Sequence, residues 1–308
     1  MNTTSTTLTL NQILTQLEAV RQKGSFEDDY YPILDSMIAT IGQLKRSGEI
    51  SDEGIKEIQQ YFGQDFLENT LHGMALLKKY GYAGDFLMID KIYTGNTPQN
   101  PFFKSWDNYF QNHAAPKAVR NRKEYFKTLV QHKLNKNPSM KLLNVASGPG
   151  RDLLELYTER VNGYNLETTC VEMDPHAIGY AQNLVNGFGT KINFINKNIF
   201  KFDTTDKYDL IWSAGLFDYF DNKAFVFVLK KFKTWIKNKG EIVVGNFNQA
   251  HNPTREYMEL FGDWYLHHRT ADELISLAIE AGFNETQLII KNEEEKVNLF
   301  LHIDCSEL

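Results

Sequence analysis

One stretch of the chain joins an apolar run to an amphipathic segment through a tight glycine-containing turn. The apolar run ends at Val145, the turn spans residues 147–150 (Ser-Gly-Pro-Gly), and the amphipathic segment begins at Arg151. Glycine carries no Cβ atom, so a bound molecule can lie close to the backbone of such a turn. The stretch therefore predicts a strand that leads directly into a helix, with a ligand-binding turn between them.

Short apolar segments and helical segments alternate after residue 140. Strands are predicted at 141–146, 167–172, 192–196, 208–213 and 241–247, and helices at 152–162, 175–186 and 222–237. Such alternation builds a parallel sheet covered by helices on both faces. A capping box at residues 270–273 starts one more helix. The last two predicted strands, 286–291 and 297–303, are close enough in sequence to form an antiparallel hairpin.

The predicted fold class is therefore α/β: a Rossmann-like, doubly wound, mainly parallel seven-stranded sheet with an antiparallel terminal hairpin. An α-helical N-terminal region precedes it, because apolar residues recur there at helical spacing. Examples are Ile33, Leu34, Met37, Ile38, Ile41 and Leu44. The linker 135–139 (Asn-Lys-Asn-Pro-Ser) marks the boundary. We expect a helical extension at residues 1–136 and an α/β domain at residues 137–308.

Composition and charge exclude several classes of protein. The formal net charge of −6 gives no general attraction to nucleic acid or to an anionic membrane. The two cysteines lack metal-site spacing, no His-x-x-x-His pair occurs, and no run of about 18 apolar residues appears. Residues 1–7 are polar and do not resemble a signal peptide. We expect a soluble cytoplasmic protein with two buried thiols, no metal, no membrane span and no nucleic-acid partner.

The loops after the predicted strands indicate the ligand, because ligands of doubly wound sheets bind at the carboxyl ends of the strands. The dinucleotide pattern G-x-G-x-x-G fails at Leu153, and no Walker motif follows the turn. Glu172 ends the second strand 22 residues after Gly150 (172 − 150). A carboxylate there can accept hydrogen bonds from both hydroxyls of a ribose. Asp174, by contrast, suits a solvated acid at a helix start.

Later loops supply the remaining contacts for a nucleoside. Asn198 can bind the edge of an adenine while Ile199 or Phe200 covers its face. After the fourth strand, small residues allow the chain to approach a ligand, and Asp218 and Tyr219 would point over it.

The order of these pieces resembles the class I S-adenosylmethionine-dependent methyltransferases over residues 141–308. Their motif of acid-apolar-Gly-x-Gly-x-Gly is matched by residues 144–150, with Asn144 in place of the acid and Ala146 in place of the first glycine. The resemblance implies S-adenosyl-L-methionine as cofactor. The implied contacts are Asn144, Ala146, Ser147, Gly148, Gly150, Glu172, Met173, Asn198, Ile199, Phe200, Ser213, Ala214 and Gly215.

Two segments that mix aromatic and cationic residues, 112–126 and 248–269, are expected to cover the cofactor. Such a mixture suits a small-molecule acceptor that is acidic and has an apolar body. The expected substrate contacts are Arg120, Arg122, Tyr257, Trp264, His268 and Arg269. The alternative is that these aromatics form a helix–helix core and these cations form a solvated face or cap a helix. His113 is the first choice as catalytic base, followed by Tyr219 and Asp218.

Residues 81–93 and 113–122 resemble bacterial methyltransferases with a helical N-terminal extension, some of which make methyl esters of 3-hydroxy fatty acids. This resemblance implies a carboxylate acceptor held by Arg120, Arg122 or Arg269. A carboxylate is already ionised at neutral pH, so His113 would then bind the acceptor without deprotonating it.

Methyl transfer to a small-molecule oxygen is the leading hypothesis, with the N-terminal region as a lid or as the contact of a homodimer. The alternatives are transfer to the nitrogen of a small amine, a cyclase or lyase reaction on the sulfonium, and a non-catalytic binding module. Methylation of nucleic-acid bases is disfavoured, because residues 213–216 read Ser-Ala-Gly-Leu and not Asn/Asp-Pro-Pro-aromatic.

Overall fold

A computed structural model of the chain describes residues 9–306. These residues form two compact units. The helical unit comprises residues up to 116 together with residues 253–265, and the sheet unit comprises residues 117–252 and those from 266 onward. The division after residue 116 lies before the linker at 135–139, which instead leads into the first strand of the sheet unit. The role of the N-terminal region as a lid or dimer contact stays a prediction.

Most of the helices precede the sheet in sequence, and the later ones lie between its strands. The elements are α1 (Leu10–Lys23), α2 (Tyr31–Arg46), α3 (Asp52–Gln60), α4 (Gly63–Asn69), α5 (Leu71–Leu77), α6 (Phe86–Thr94), α7 (Pro101–Asn112), α8 (Ala114–Lys136), β1 (Ser139–Val145), α9 (Arg151–Glu159), β2 (Asn165–Glu172), α10 (Pro175–Leu184), β3 (Ile192–Asn196), β4 (Tyr208–Ser213), α11 (Asn222–Trp235), β5 (Ile236–Phe247), α12 (Arg255–Phe261), α13 (Ala271–Glu280), β6 (Leu288–Asn292) and β7 (Asn298–Asp304).

The sheet has the strand order β3-β2-β1-β4-β5-β7-β6. Strands β1 to β5 pair in parallel, and β7 runs antiparallel to both β5 and β6. One apolar layer contains residues of α11 and α13, and the other contains residues of α8 and α9. The predicted fold class is therefore confirmed, including the terminal hairpin. The strand order reverses between β1 and β4, which is where ligands of such sheets bind.

The helical unit takes in a segment from the second half of the chain. Helix α12 follows β5 in sequence but packs against α2 and α3. The Gln59 side-chain amide donates to the carbonyl of Leu260 over 2.6 Å, and the Ala115 amide donates to the Thr254 hydroxyl over 3.0 Å. Residues 253–265 are therefore built into the helical unit, although the chain enters and leaves them from the sheet unit.

No helix within residues 9–306 combines the length and the apolar character needed to cross a lipid bilayer.

A partly buried ionic network ties α8 to the middle of β5. Glu241 accepts hydrogen bonds from His302 of β7 and from Lys133 of α8, each over 2.6 Å. Burial by itself would raise the pKa of Glu241, but the bond from His302 and the charge and bond of Lys133 outweigh it and lower the pKa to about 2. The ionised form is therefore favoured in the folded protein.

This network should make part of the stability sensitive to acid. Because the folded pKa of Glu241 lies below its ordinary 4.5, the stabilisation is complete above pH 4.5 and is lost as the pH falls towards 2. We expect Glu241→Gln to lower the free energy of unfolding by about 2 kcal/mol at pH 7. Urea unfolding should show that this difference shrinks below pH 4. An equal difference at pH 7 and pH 3 would contradict the assignment.

Candidate functional site

The turn between β1 and α9 places three alternate residues in the left-handed region of the backbone. The φ angles are +55° at Ala146, +57° at Gly148 and +71° at Gly150. A Cβ atom on Gly150 would lie 2.9 Å from the Cβ of Ala181, whereas one on Gly148 would meet no atom within 4 Å. Gly150 therefore permits close packing against α10, and Gly148 gives the turn an open backbone face. Alanine at position 146 adopts this φ at a cost of about 1 kcal/mol.

Glu172 lies beside this turn at the end of β2. It is 7% exposed, and its Oε2 accepts from the Gly148 amide over 3.0 Å. Its Oε1 accepts from the amides of Met173 (2.8 Å) and Asp174 (3.0 Å). Burial raises the pKa of Glu172, and these three amide bonds oppose that shift. The carboxylate is thus held in one orientation next to the open face of Gly148.

Two large apolar side chains flank an amide at the ends of β2 and β3. Met173 is 61% exposed and Phe200 is 40% exposed. The Asn198 Nδ2 lies 3.8 Å from the Met173 sulfur, and its Oδ1 accepts from the Phe200 amide over 2.9 Å. Ile199, one of the two residues predicted to cover an adenine face, is buried in the core, so only Phe200 offers an exposed surface. This group suits a flat aromatic ring with a polar edge.

The end of β4 and the residue that follows it pack closely against β1 and β5. The Ser213 hydroxyl is fully buried and donates to the Val145 carbonyl over 3.1 Å, so it joins the two strands. The Ala214 carbonyl lies against Gly245. On Gly215, a Cβ atom would lie 3.1 Å from a guanidinium nitrogen of Arg122. Arg122, predicted to hold the acceptor, therefore lies against the backbone at the end of β4.

Two buried carboxyl groups share the charge of Arg122. Burial raises the pKa of Asp152 to about 6 and that of Asp218 to about 7, and Arg122 opposes both shifts. Asp218, predicted as a catalytic residue, accepts from the Phe247 amide over 2.6 Å. Asp152 was not among the predicted residues, although its place as the second residue of the helix after the glycine turn could have suggested it. Both carboxyls and Arg122 are buried.

Arg269, a predicted acceptor contact, is instead bonded entirely within the sheet unit. It is buried, and its guanidinium lies 4.8 Å from the centre of the Phe225 ring. Its five N–H groups donate to the carbonyls of Phe217 and Phe220 and to the side-chain oxygens of Asn222 and Asn246. This bonding leaves no donor for a substrate and assigns Arg269 to holding the segment that carries Asp218 and Tyr219.

Loss of Arg269 should therefore destabilise the sheet unit. We expect Arg269→Met to lower the free energy of unfolding by about 3 kcal/mol, because several buried carbonyls lose their donors. Arg269→Lys should restore less than half of this loss, since an ammonium group cannot reproduce the planar fork. Urea unfolding measures both variants. If Arg269→Met unfolds like the wild type, the holding role is wrong.

The predicted base His113 lies at the end of α7 in the helical unit. Its ring packs between those of Tyr109 and Tyr257, with centroids 4.4 and 4.7 Å away. Its Nε2 lies 3.6 Å from Asp35 Oδ1, and its buried Nδ1 has no hydrogen-bond partner in the described part of the chain. The Tyr257 hydroxyl lies 3.1 Å from His72 Nδ1. The catalytic role of His113 and the substrate role of Tyr257 stay predictions.

The remaining predicted residues have varied surroundings. Trp264 is buried in the helical unit, and Tyr219 is well exposed on a short 3-10 turn after β4. His268 is buried, with its Nε2 3.0 Å from the Asn252 amide nitrogen. Burial lowers the pKa of Arg120, and the charge of Glu295 opposes the shift. The roles predicted for these four residues in binding or converting a substrate stay predictions.

Within residues 9–306, no group of three or more His, Cys, Asp or Glu side chains is arranged to hold a metal ion.

Most of the sheet unit matches a known protein family. Residues 136–296, just over half of the chain, match the family model described as a methyltransferase domain. No curated protein matches the sequence.

Three solved structures share the fold. A protein of Bordetella parapertussis named as a possible exported protein is 17% identical, with 99% of each chain covered and a TM-score of 0.62. A candidate O-methyltransferase of Nostoc punctiforme is 16% identical, covering 78% of this chain and 71% of that one, with a TM-score of 0.51. The S-adenosylmethionine-dependent methyltransferase SibL is 13% identical, covering 86% and 76%, with a TM-score of 0.50. Identities this low establish similarity of fold alone.

Proposed function

The chain belongs to the methyltransferase domain family, and from this membership we propose that it transfers a methyl group from S-adenosylmethionine to a small-molecule acceptor. The observation that carries the proposal is the Glu172 carboxylate, which three backbone amides hold beside the open face of Gly148. A nucleoside placed there would meet a ribose acceptor, a backbone without side-chain bulk and the exposed Met173 and Phe200 side chains. SibL, which shares the fold, is itself named as an S-adenosylmethionine-dependent enzyme.

The described residues offer contacts to three parts of such a cofactor: the ribose, the adenine and the amino-acid group. Glu172 would accept a ribose hydroxyl on Oε2, since a carboxylate has about four lone-pair sites and the three amide bonds leave one of them free. Asn198, Met173 and Phe200 would hold the adenine. Arg122, which lies against the backbone after β4, and Asp152, in the first turn of α9, are buried and offer opposite charges for a zwitterionic amino-acid group. When bound, the cofactor supplies an electrophilic methyl group on a sulfonium.

Positioning and exclusion of water can provide much of the acceleration of methyl transfer. The protein then has to hold the acceptor in line with the methyl group and keep water out. Asp218 is buried after β4, its carboxyl feels the charge of Arg122, and it accepts a hydrogen bond from the backbone amide of Phe247. We assign it to organising this end of the site, with its carboxyl largely retaining a proton below pH 7.

The acceptor atom in this proposal is oxygen, either of a hydroxyl or of a carboxylate. The Nostoc punctiforme structure, which shares the fold, is a candidate O-methyltransferase. A carboxylate acceptor would need no base, because it is already ionised at neutral pH, whereas a hydroxyl acceptor would have to lose a proton.

Calorimetric titration with S-adenosylmethionine and S-adenosylhomocysteine tests the cofactor, and incubation with small acids, fatty acids, phenols and amines tests the acceptor. Formation of S-adenosylhomocysteine together with a methyl ester or ether would support the proposal. Absence of binding of both nucleosides would overturn it. Methylthioadenosine as the product would replace it with a lyase or cyclase reaction, and an N-methyl product would move the acceptor from oxygen to nitrogen.

A further inference from the structure

The side chain of Asn298, at the start of β7, is a buried amide without a partner in the described part of the chain. Asn298 is fully buried, and neither its Nδ2 nor its Oδ1 has a hydrogen-bond partner among residues 9–306. A buried polar group without a partner destabilises a folded protein, and an amide presents two such groups. Asn298 therefore lowers the stability of the free protein, as binding residues often do.

A second asparagine, one strand away, shows how the sheet unit bonds a buried amide that serves the fold. Asn246 of β5 is also fully buried. Its Nδ2 donates to the carbonyls of Phe247 over 3.1 Å and His267 over 2.9 Å, and its Oδ1 accepts from Arg269 over 2.8 Å. Both polar atoms of Asn246 are thus bonded within the sheet unit, in contrast to those of Asn298.

A neighbouring carboxylate, that of Glu293, is already used by other donors. Its Oε1 accepts from the backbone amides of Val297 over 2.8 Å and Asn298 over 3.0 Å. Its Oε2 accepts from the Glu295 amide over 2.7 Å and from the Nδ2 of Asn121 in α8 over 3.0 Å. A carboxylate has about four lone-pair sites, and these bonds occupy all of them. Glu293 therefore fixes the start of β7 against α8 and has no site left for the Asn298 side chain.

The Asn298 side chain lies on the face of the sheet that α8 covers. Side chains alternate along a strand, so Asn298 shares its face with Phe300, whose ring stacks 4.3 Å from that of Tyr125 in α8. Phe247 stands directly opposite Asn298 in the antiparallel pair of β5 and β7, so it lies on that face too. Its ring is 5.8 Å from that of His268. The unbonded amide therefore has aromatic neighbours and lies at the carboxyl end of β5.

This position lies to one side of the proposed cofactor site. The strand order runs β1-β4-β5-β7, and neighbouring strands are about 4.8 Å apart. The start of β7 is therefore two strands from β4, about 10 Å across the sheet. Both positions are at the end of the sheet where ligands of this fold bind. A group bound at Asn298 would belong to the body of an acceptor whose methylated atom lies nearer to β4.

We propose that Asn298 binds a primary carboxamide group in the body of the acceptor. Such a group offers a carbonyl oxygen to Nδ2 and an N–H to Oδ1 in one plane, so both unbonded atoms gain a partner at once. A carboxylate has no hydrogen for Oδ1, and burial of its charge is costly. A single hydroxyl serves one of the two atoms well. This inference rests on the proposed function, because it names a group of the molecule that is methylated.

Melting curves of the free protein test whether Asn298 is unbonded. Asn298→Ala and Asn246→Ala remove the same group from two fully buried positions on neighbouring strands. Asn246→Ala should lower the melting temperature by about 6 °C or more, because its partners are left unpaired. Asn298→Ala should change it by less than about 2 °C, because no bond is lost. A fall of about 6 °C or more in Asn298→Ala would show that the amide is bonded in the free protein, and would overturn the inference.

A pair of small ligands tests the chemistry of the site. Benzoate has nearly the shape of benzamide but lacks its N–H groups. Ligand-observed NMR measures the binding of each to the wild type and to Asn298→Ala in the presence of S-adenosylhomocysteine. The wild type should bind benzamide more tightly than benzoate by about threefold or more, and Asn298→Ala should lose this preference. Calorimetry should give both proteins the same affinity for S-adenosylhomocysteine within about twofold, because Asn298 lies outside the proposed cofactor site.

The outcomes separate this inference from the proposed function. If the wild type binds S-adenosylhomocysteine but does not prefer benzamide, the inference fails while the proposed function stands. If Asn298→Ala keeps the preference, benzamide binds elsewhere and the inference fails as well. If the preference depends on Asn298 but the wild type binds no nucleoside, the amide site stands and the proposed function fails. A wild type that binds neither the nucleoside nor benzamide would overturn both.

Discussion

Glu172→Ala should weaken the binding of S-adenosylhomocysteine by about tenfold or more, because a hydrogen bond to a charged acceptor is lost. The variant also removes the acceptor of the Gly148 amide, so the open face of the turn loses its support. Calorimetric titration at pH 7.5 measures the affinity, and a melting curve shows whether the sheet unit remains folded.

Asp174→Asn is the matched control for this prediction. Asp174 is two residues further along the chain, and its Oδ1 accepts the His176 amide at the start of α10. Asparagine preserves that helix cap, so the affinity should stay within about twofold of the wild type. An unchanged affinity in Glu172→Ala would show that the carboxylate does not hold the ribose.

Alanine substitutions at Gly148 and at Gly150 should impair different properties. The stability of the fold should fall more at Gly150, and the affinity for the cofactor should fall more at Gly148. At Gly150 the new methyl group meets Ala181 and the φ is positive, so the free energy of unfolding should fall by about 2 kcal/mol or more. At Gly148 the methyl group enters open space, and the loss should be about 1 kcal/mol from φ alone.

For the affinity toward the cofactor, the order of the two variants should be reversed. The methyl group of Gly148→Ala would stand on the face of the turn that the cofactor uses, and the affinity for S-adenosylhomocysteine should fall at least tenfold. Folded Gly150→Ala should retain more affinity than Gly148→Ala. Urea unfolding and calorimetry on the two variants check both orders. If Gly148→Ala binds as tightly as the wild type, the cofactor does not pass over this turn.

The α/β alternation could be predicted from sequence because each strand and helix is set by local signals. Apolar runs end at glycine, proline or acidic residues, and the capping box at Thr270 lies where α13 begins. The glycine turn and Glu172 were also predictable as neighbours, since the ends of adjacent parallel strands must meet. Local signals do not show which residues each aromatic or cationic side chain contacts in the folded protein.

Arg269 and residues 253–265 show this limit. Nothing near Arg269 in sequence reveals that its donors point inward, because its acceptors lie between 23 and 52 residues earlier in the chain. The spacing of Tyr257, Phe261 and Trp264 fits any helical core. The division after residue 116 had a usable signal: Phe126, Val130 and Leu134 recur every four residues in α8 and are buried in the sheet unit.

The insertion of residues 253–265 into the helical unit sets an order of events during synthesis. Tyr257, Leu260 and Phe261 are buried within that unit, yet they leave the ribosome about 140 residues after its last N-terminal helix. Until then the nascent helices have an unfilled apolar surface, which is what chaperones bind. A release of the chain after residue 252 would therefore leave the N-terminal half incomplete, although none of its own residues would be missing.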